Sequence, residues 1–166
     1  MAAGFARPYQ LEPECSSSED SGEEDQFISF GRGQQDVSEW CTCGHCERMP
    51  SEVENVCCRE IPQVRRRCDE LPDPPQCMVD HPGLEPVCLN PYSLQNALNI
   101  YRADYGPLRL RVMTNRYRYL AYRSFVSWCW GFLGRRVRVV IPSCVVLRIR
   151  TEYADSTYTG FRPVLD

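Results

Sequence analysis

Residues 40–46, Trp-Cys-Thr-Cys-Gly-His-Cys, and residues 56–59, Val-Cys-Cys-Arg, are the stretches that decide how this chain folds. Cys43 and Cys46 form a C-x-x-C pair, a spacing that lets two sulfurs face one ion. Cys41 adds another sulfur two residues earlier. The stretches therefore predict a fold organised around metal rather than around a large apolar interior.

The adjacent residues Cys57 and Cys58 bear on the choice between metal and disulfides. Disulfides need an oxidising compartment, and residues 1–13 contain no apolar stretch that would direct secretion. A vicinal pair is also strained as a disulfide, whereas its two thiolates can serve neighbouring ions. We therefore expect zinc, which favours thiolate-rich tetrahedral sites.

The number of cysteines predicts two ions rather than one. The chain has 11 cysteines, and the stretches quoted above already hold more sulfurs than one tetrahedral site needs. Seven cysteines meet the need of two tetrahedral ions if one thiolate bridges both. The candidates to complete the set are Cys144 and either Cys68 or Cys77, and His45 and His81 are alternative ligands.

Composition excludes several functional classes. The chain has 166 residues and a net charge of −3, and because it contains no lysine it has no candidate for a P-loop. No acid–base pair is recognisable, so we do not expect an enzyme, and hydrolysis of a nucleotide is the one reaction left open. The longest apolar neighbourhood, residues 125–133, is too short to span a bilayer. We expect a cytoplasmic location.

The chain divides into an arm and one domain. Residues 1–36 are predicted to be a disordered acidic arm, because residues 12–25 carry carboxylates and no base. Residues 37–166 are predicted to form the domain, with order beginning near Trp40. Residues 40–88 are rich in cysteine and proline and predict loops and short turns.

Helices are predicted in the second half of the domain, and the fold class is a helix-rich α+β. Asn90 as N-cap before Pro91 begins a helix that Gly106 ends. A second helix is predicted over residues 114–130. Residues 138–141 predict a short strand, and residues 144–150 suit either a strand or a helix.

The second half is also rich in arginine, which leaves nucleic acid open as a partner. Residues 102–150 hold eleven arginines against one acid, Asp104. The alternation Arg116-Tyr117-Arg118-Tyr119 suits stacking on single-stranded bases. A zinc-dependent nucleic-acid-binding protein is therefore the alternative function, although no spacing of the C2H2 type is present. A solvated surface balanced by the acidic arm is the competing interpretation.

Several ordered motifs together resemble one known domain, the cytosolic "ballast" domain at the C-terminus of P2X purinoceptors of subtype seven. The resemblance covers about residues 40–162. It is carried by the two cysteine stretches and, further along the chain, by Ala121-Tyr122-Arg123, Ile141-Pro142-Ser143-Cys144, Arg148-Ile149-Arg150 and Gly160-Phe161.

The resemblance implies a dinuclear zinc centre and a guanine-nucleotide site for GDP or GTP. The implied zinc ligands are Cys41, Cys43, Cys46, Cys57, Cys58, Cys77 and Cys144, which leaves Cys15, Cys68, Cys88 and Cys129 as spares. The implied nucleotide positions are Arg118, Tyr119, Tyr122, Val139, Val140 and Ile141. Tyr119 stands where the family has histidine, and a family lysine has no counterpart here, with Asp155 nearby instead. Packing between helices is the competing role of Tyr119 and Tyr122.

The resemblance also implies what the chain does. The two membrane helices and the extracellular ATP-binding region of the P2X receptors have no counterpart in this sequence. We therefore expect a regulatory or scaffolding domain that is not itself an ion channel. Guanine nucleotide and protein partners are expected, and nucleic acid is the weaker candidate.

Overall fold

The computed structural model describes residues 31–110, 113–131, 133 and 137–154. Its helices are α1 (Pro62–Asp69), α2 (Pro91–Tyr105), α3 (Met113–Trp130) and α4 (Ser143–Glu152). The other elements are single turns: 3-10 turns at Arg32–Gln34, Val37–Glu39, Glu52–Glu54, Cys58–Glu60 and Met78–Asp80, and a π turn at Glu85–Leu89. Most of the predicted arm, Asp155 and the Gly160-Phe161 motif lie outside the described residues.

The predicted α+β class is wrong, because the described part of the chain contains helices and turns but no strand. Residues 138–141, where a strand was expected, have no regular secondary structure. Their β-branched run has strand propensity, but a strand needs a partner edge, and the described residues contain no other strand. Residues 144–150, for which the sequence suited either a strand or a helix, lie in helix α4.

The two helices predicted from caps and periodicity are confirmed. The side chain of Asn90 caps α2, accepting hydrogen bonds from the amides of Tyr92 (2.9 Å) and Ser93 (3.2 Å). Gly106 ends the helix with φ 81°, a left-handed conformation that glycine adopts without strain. Helix α3 begins one residue before the predicted range and ends at Trp130, where the sequence places its end.

Helix α3 lies at the centre of the fold, where it packs against α1, α2, α4 and the π turn. Its buried face carries Leu120, Ala121 and Phe125, each almost fully shielded from solvent. Arg118 is only 8% exposed. Helix α4 packs against α3, and Arg118 and Arg150 both lie near Tyr122.

Two further features lie outside the sequence prediction. Helix α1 falls within residues 40–88, for which only loops and turns were expected; Pro62 opens it, and Val64 and Cys68 bury one face at a spacing of four. Gly31 and Arg32 precede Trp40, where order was expected to begin, and the Arg32 side chain is buried, with only 6% of its surface exposed. No helix among the described residues has the length and hydropathy of a membrane span.

Candidate metal centre

The fold collects cysteines into two groups of four that share one residue. The outer group comprises Cys41, Cys43, Cys46 and Cys57, and the inner group comprises Cys43, Cys58, Cys77 and Cys144. Within each group all sulfurs lie within 4.8 Å of one another. The seven cysteines that the resemblance implied as ligands are therefore brought together, with Cys43 in both groups.

The spacing of the sulfurs suits a tetrahedral ion and not a disulfide. The Sγ atoms of Cys41 and Cys43 are 3.6 Å apart, and those of Cys43 and Cys46 are also 3.6 Å apart. A tetrahedron of Zn–S bonds of about 2.3 Å places its sulfurs about 3.8 Å apart. A disulfide would need about 2.05 Å, and all ten described cysteines are free thiols. The donors thus fit zinc in number, type and spacing.

The local backbone conformation orients the cysteine sulfurs between residues 41 and 58. Gly44 has φ 87°, so the chain reverses between Cys43 and Cys46 in a conformation that a side chain would strain. Cys57 and Cys58 are adjacent but enter different groups, because Cys57 precedes the 3-10 turn that Cys58 opens. A vicinal pair therefore contributes one thiolate to each group.

The inner group takes its remaining ligands from distant parts of the chain. Cys77 precedes the turn at Met78–Asp80, and Cys144 lies in the first turn of α4. The hydroxyl of Ser143 donates to the carbonyl of Glu47 (2.7 Å) and accepts from its amide (3.1 Å). This two-way contact holds the start of α4 against the chain leaving Cys46.

Hydrogen bonds among the thiols favour thiolates at two positions. The Cys144 thiol lowers the pKa of Cys43 to about 3, and together with Cys58 it lowers that of Cys77 to about 6. The same contact with Cys43 raises the pKa of Cys144. The thiolate is the form of cysteine that binds metal, and negative charge is therefore already favoured where the two groups meet.

The spare cysteines that the structure describes, Cys68, Cys88 and Cys129, and both histidines lie outside the groups. Burial raises the pKa of Cys68 to about 11 and that of Cys129 to about 12, which keeps both as neutral thiols. His45 lies 3.2 Å from the carbonyl of Cys43, and His81 contacts the carbonyl of Arg67 at 3.1 Å. Each ring thus meets a backbone carbonyl and belongs to neither group.

The positions implied for a nucleotide lie in three places. Arg118 and Arg150 of α4 both lie near Tyr122; burial raises the pKa of Tyr122, and the charges of Arg150 and Arg118 oppose the rise. Tyr119 instead packs edge-on against Tyr101 of α2, with ring centroids 6.0 Å apart. The remaining three positions, Val139, Val140 and Ile141, are half-buried in the segment before α4.

Sequence reasoning did not select two arginines that the structure makes prominent. Arg150 stands beside Tyr122, and its signal was the Arg148-Ile149-Arg150 motif, which was used only to support the resemblance. Arg32 is buried and pairs with Glu60 at 2.7 Å. It falls in the range assigned to the arm, and no local pattern marks it as buried.

The sequence of the chain is similar to those of known proteins. P2X purinoceptor 7 of Rattus norvegicus is 28% identical over 133 residues, covering 77% of this chain and 20% of the relative. P2X purinoceptor 7 of Mus musculus is 28% identical over 134 residues, covering 76% of this chain and 20% of the relative. The chain thus spans about a fifth of the length of these curated relatives.

A protein-family comparison covers more of the chain than the individual relatives do. The sequence matches the family described as "P2X purinoreceptor 7 intracellular domain" over residues 8–162. The cytoplasmic location predicted from the sequence is confirmed by this match, since the family is an intracellular domain. Because the match extends over nearly all of the sequence, this chain belongs to the family of P2X purinoreceptor 7 intracellular domains.

Proposed function

We propose that the chain is a zinc-stabilised regulatory or scaffolding domain in which seven cysteines hold two zinc ions through a shared Cys43 thiolate. The observation that carries the proposal is the meeting of two four-sulfur groups at one sulfur. When bound, zinc supplies folding free energy and orients its ligands. The chain's own contribution is to bring sulfurs from residues 41 to 144 to one place.

The ligand chemistry supports a structural role for these ions. Each group offers a full set of four sulfurs, and a closed thiolate shell leaves no coordination position open for a substrate. All members except Cys41 are buried, which excludes water from most of the centre. We therefore assign the centre to folding and assign no reaction to it.

Metal content tests the proposal directly. We expect two equivalents of zinc per chain, measured by elemental and native mass spectrometry on protein purified without added zinc. Replacement by Co²⁺ is expected to give sulfur-to-cobalt charge transfer and the absorption of tetrahedral sites. One equivalent, or none, contradicts the shared-thiolate arrangement.

A second proposal is that the domain binds GDP or GTP next to α3 and α4. Its support is the family membership together with the closeness of the buried Arg118 and the half-buried Arg150 to Tyr122. Two guanidinium groups offer planar donors to phosphate, and a tyrosine ring offers a stacking face. Tyr119 adds no support, because its ring is engaged with Tyr101.

Calorimetric titration with GDP tests the nucleotide proposal. We expect saturable binding that Arg150→Met weakens, and no weakening in Arg65→Met, whose side chain lies on the surface of α1. The absence of heat at millimolar GDP removes the nucleotide from the function and leaves the zinc proposal untouched.

The alternative function, binding of single-stranded nucleic acid, draws less support from the side-chain positions. In the Arg116–Tyr119 run, Arg118 is buried and the Tyr117 ring packs against Tyr153. Bases cannot stack on rings that are already covered. Salt-dependent binding of an RNA oligonucleotide, measured by fluorescence anisotropy at low ionic strength, is the result that restores this alternative.

A further inference from the structure

Arg32 is a buried arginine that joins two parts of the outer group. It is 6% exposed, and its guanidinium makes a bidentate contact with Glu60, with N–O distances of 2.8 Å and 2.7 Å. The same group donates to the carbonyl of Asn55 at 3.0 Å. A charge this deeply buried is tolerated only when it is paired and hydrogen-bonded, so the geometry around it is tightly specified.

Glu60 connects Arg32 to Cys57, which is a proposed metal ligand. One of its carboxylate oxygens accepts from Arg32 and also from the amide of Cys57, at 3.0 Å. The Cys57 side chain in turn accepts from the backbone of Glu60, which closes a capping box around the turn. The backbone that directs the Cys57 sulfur is therefore held by the ion pair.

Arg32 also contacts the other side of the outer group through Trp40. Its guanidinium lies over the Trp40 ring, 5.6 Å from the centroid, and Trp40 is 5% exposed. Cys41 follows directly, and its amide donates to the carbonyl of Val37 at 2.8 Å. Arg32 thus contacts Trp40, directly before Cys41, and also Asn55 and Glu60, which lie on either side of Cys57 in the sequence.

A second carboxylate fastens the segment that carries Arg32. Glu52 accepts hydrogen bonds from the amides of Gly31 (2.9 Å) and Gly33 (3.2 Å). A Cβ atom at Gly33 would lie 2.5 Å from the Glu52 carboxylate, so a side chain there would displace that carboxylate. The backbone of residues 31–33 is therefore held by Glu52, independently of the contacts that the Arg32 side chain makes.

The inner group is held by different contacts. Cys144 is set by α4 and by the Ser143 contact with Glu47, and Cys77 by its own turn, where its sulfur accepts from the amide of Val79. Only Cys58 lies next to the Arg32–Glu60 pair, through its neighbour Cys57. Loss of the pair should thus disturb one group far more than the other.

We infer that Arg32 and Glu60 are positioning residues that set the affinity of the outer group for its ion. The inference rests on the proposed zinc function. Hydrogen-bonded groups behind metal ligands typically change metal affinity by about 10–100-fold when they are removed. Here the ion pair restrains the backbone at Cys57 and the chain entering Cys41, and the inner group keeps its own supports.

The test compares Arg32→Met and Glu60→Gln with the matched control Arg148→Met. Methionine replaces the arginine with an apolar chain, and glutamine keeps the shape of Glu60 without its charge. Arg148 also pairs with a glutamate, Glu152, at 3.2 Å, but on the surface within α4. Zinc is withdrawn stepwise with a competing chelator while the bound metal is counted.

We expect both variants to bind one of the two ions about 10–100-fold more weakly and to retain the other, with the control matching the wild type. Equal weakening of both ions, or of neither, overturns the inference. Should Arg32→Met fail to fold, Glu60→Gln alone gives the readout. A wild-type protein that binds no zinc defeats the proposed function itself, which this comparison separates from failure of the inference.

Discussion

At the scale of single residues, Cys43 has the greatest consequence because its sulfur is the one that both groups contain. Cys43→Ser is expected to abolish binding of both ions, whereas Cys41→Ser, at the exposed margin of the outer group, should abolish one. Zinc counting by native mass spectrometry checks both. Cys129→Ala is the control: it removes a buried sulfur outside the groups and should cost about 1 kcal/mol of stability with both ions retained.

The spare thiols make a second prediction at this scale. The pKa of Cys68 is raised by burial to about 11, above its ordinary value of 9.0. Because the folded state favours the neutral thiol, this group stabilises the fold below about pH 9, and the contribution is lost as the pH rises through 11. We expect iodoacetamide to leave Cys68 unmodified between pH 7 and about pH 10.

The matched measurement for Cys68 is alkylation in urea, where the thiol is exposed and has its ordinary pKa. Labelling should then appear near pH 9. Rapid labelling of Cys68 in the folded, zinc-loaded protein at pH 8 contradicts its assignment as a buried neutral thiol.

Asn55 shows how strongly one uncharged side chain can organise a loop. It is fully buried, accepts from the amide of Met49 at 2.8 Å, and donates to the carbonyls of Met49 and Ser51. Asn55→Ala leaves these buried groups without partners and is expected to lower the free energy of unfolding by about 2–3 kcal/mol. Urea titration measures the loss; a change below about 0.5 kcal/mol contradicts the role.

At the scale of elements, the helix caps carry a measurable share of stability. Asn90→Ala removes the two hydrogen bonds that begin α2 and should lower the free energy of unfolding by about 1 kcal/mol. The control is Asn96→Ala, an exposed position inside the same helix, where alanine should be neutral or slightly stabilising. Equal effects of the two substitutions on the urea midpoint contradict the cap assignment.

The elements also show where sequence reasoning succeeds. Asn90, Pro91 and Gly106 mark α2 by local chemistry that needs no tertiary context, and the structure follows it. The segment at 138–141 failed because its β-branched residues indicate a preference, while a strand also requires an edge to pair with. Helix α1 was missed because proline and cysteine dominate its surroundings and hide the buried spacing of Val64 and Cys68.

For the candidate site, the sulfurs that lie close together in the sequence could be predicted. The spacing from Cys41 to Cys46 indicates a shared ion without any knowledge of the fold. The count of sulfurs made Cys144 a candidate, but the choice of Cys77 over Cys68 depends on how distant segments meet, and the resemblance supplied it. Arg32 was missed for the same reason, since its partner Glu60 lies 28 residues away.

At the scale of the whole molecule, metal should decide whether the domain is folded. Zinc binding by thiolates contributes on the order of 10 kcal/mol, which equals the whole stability of a typical domain at about 5–15 kcal/mol. We expect thorough chelation to abolish cooperative urea unfolding and much of the helical circular dichroism. A protein that stays compact and cooperatively folded after both ions are removed contradicts the proposed role of zinc.

The distance along the chain between Cys41 and Cys144 has a consequence for biosynthesis. A ribosome adding about 5–20 residues each second needs roughly 5–20 seconds to travel between these codons. Throughout that interval the early sulfurs have emerged without their last partner, so the nascent polypeptide depends on a reducing environment and on available zinc. A premature stop codon ahead of residue 144 would accordingly release a product that lacks a thiolate of the inner group.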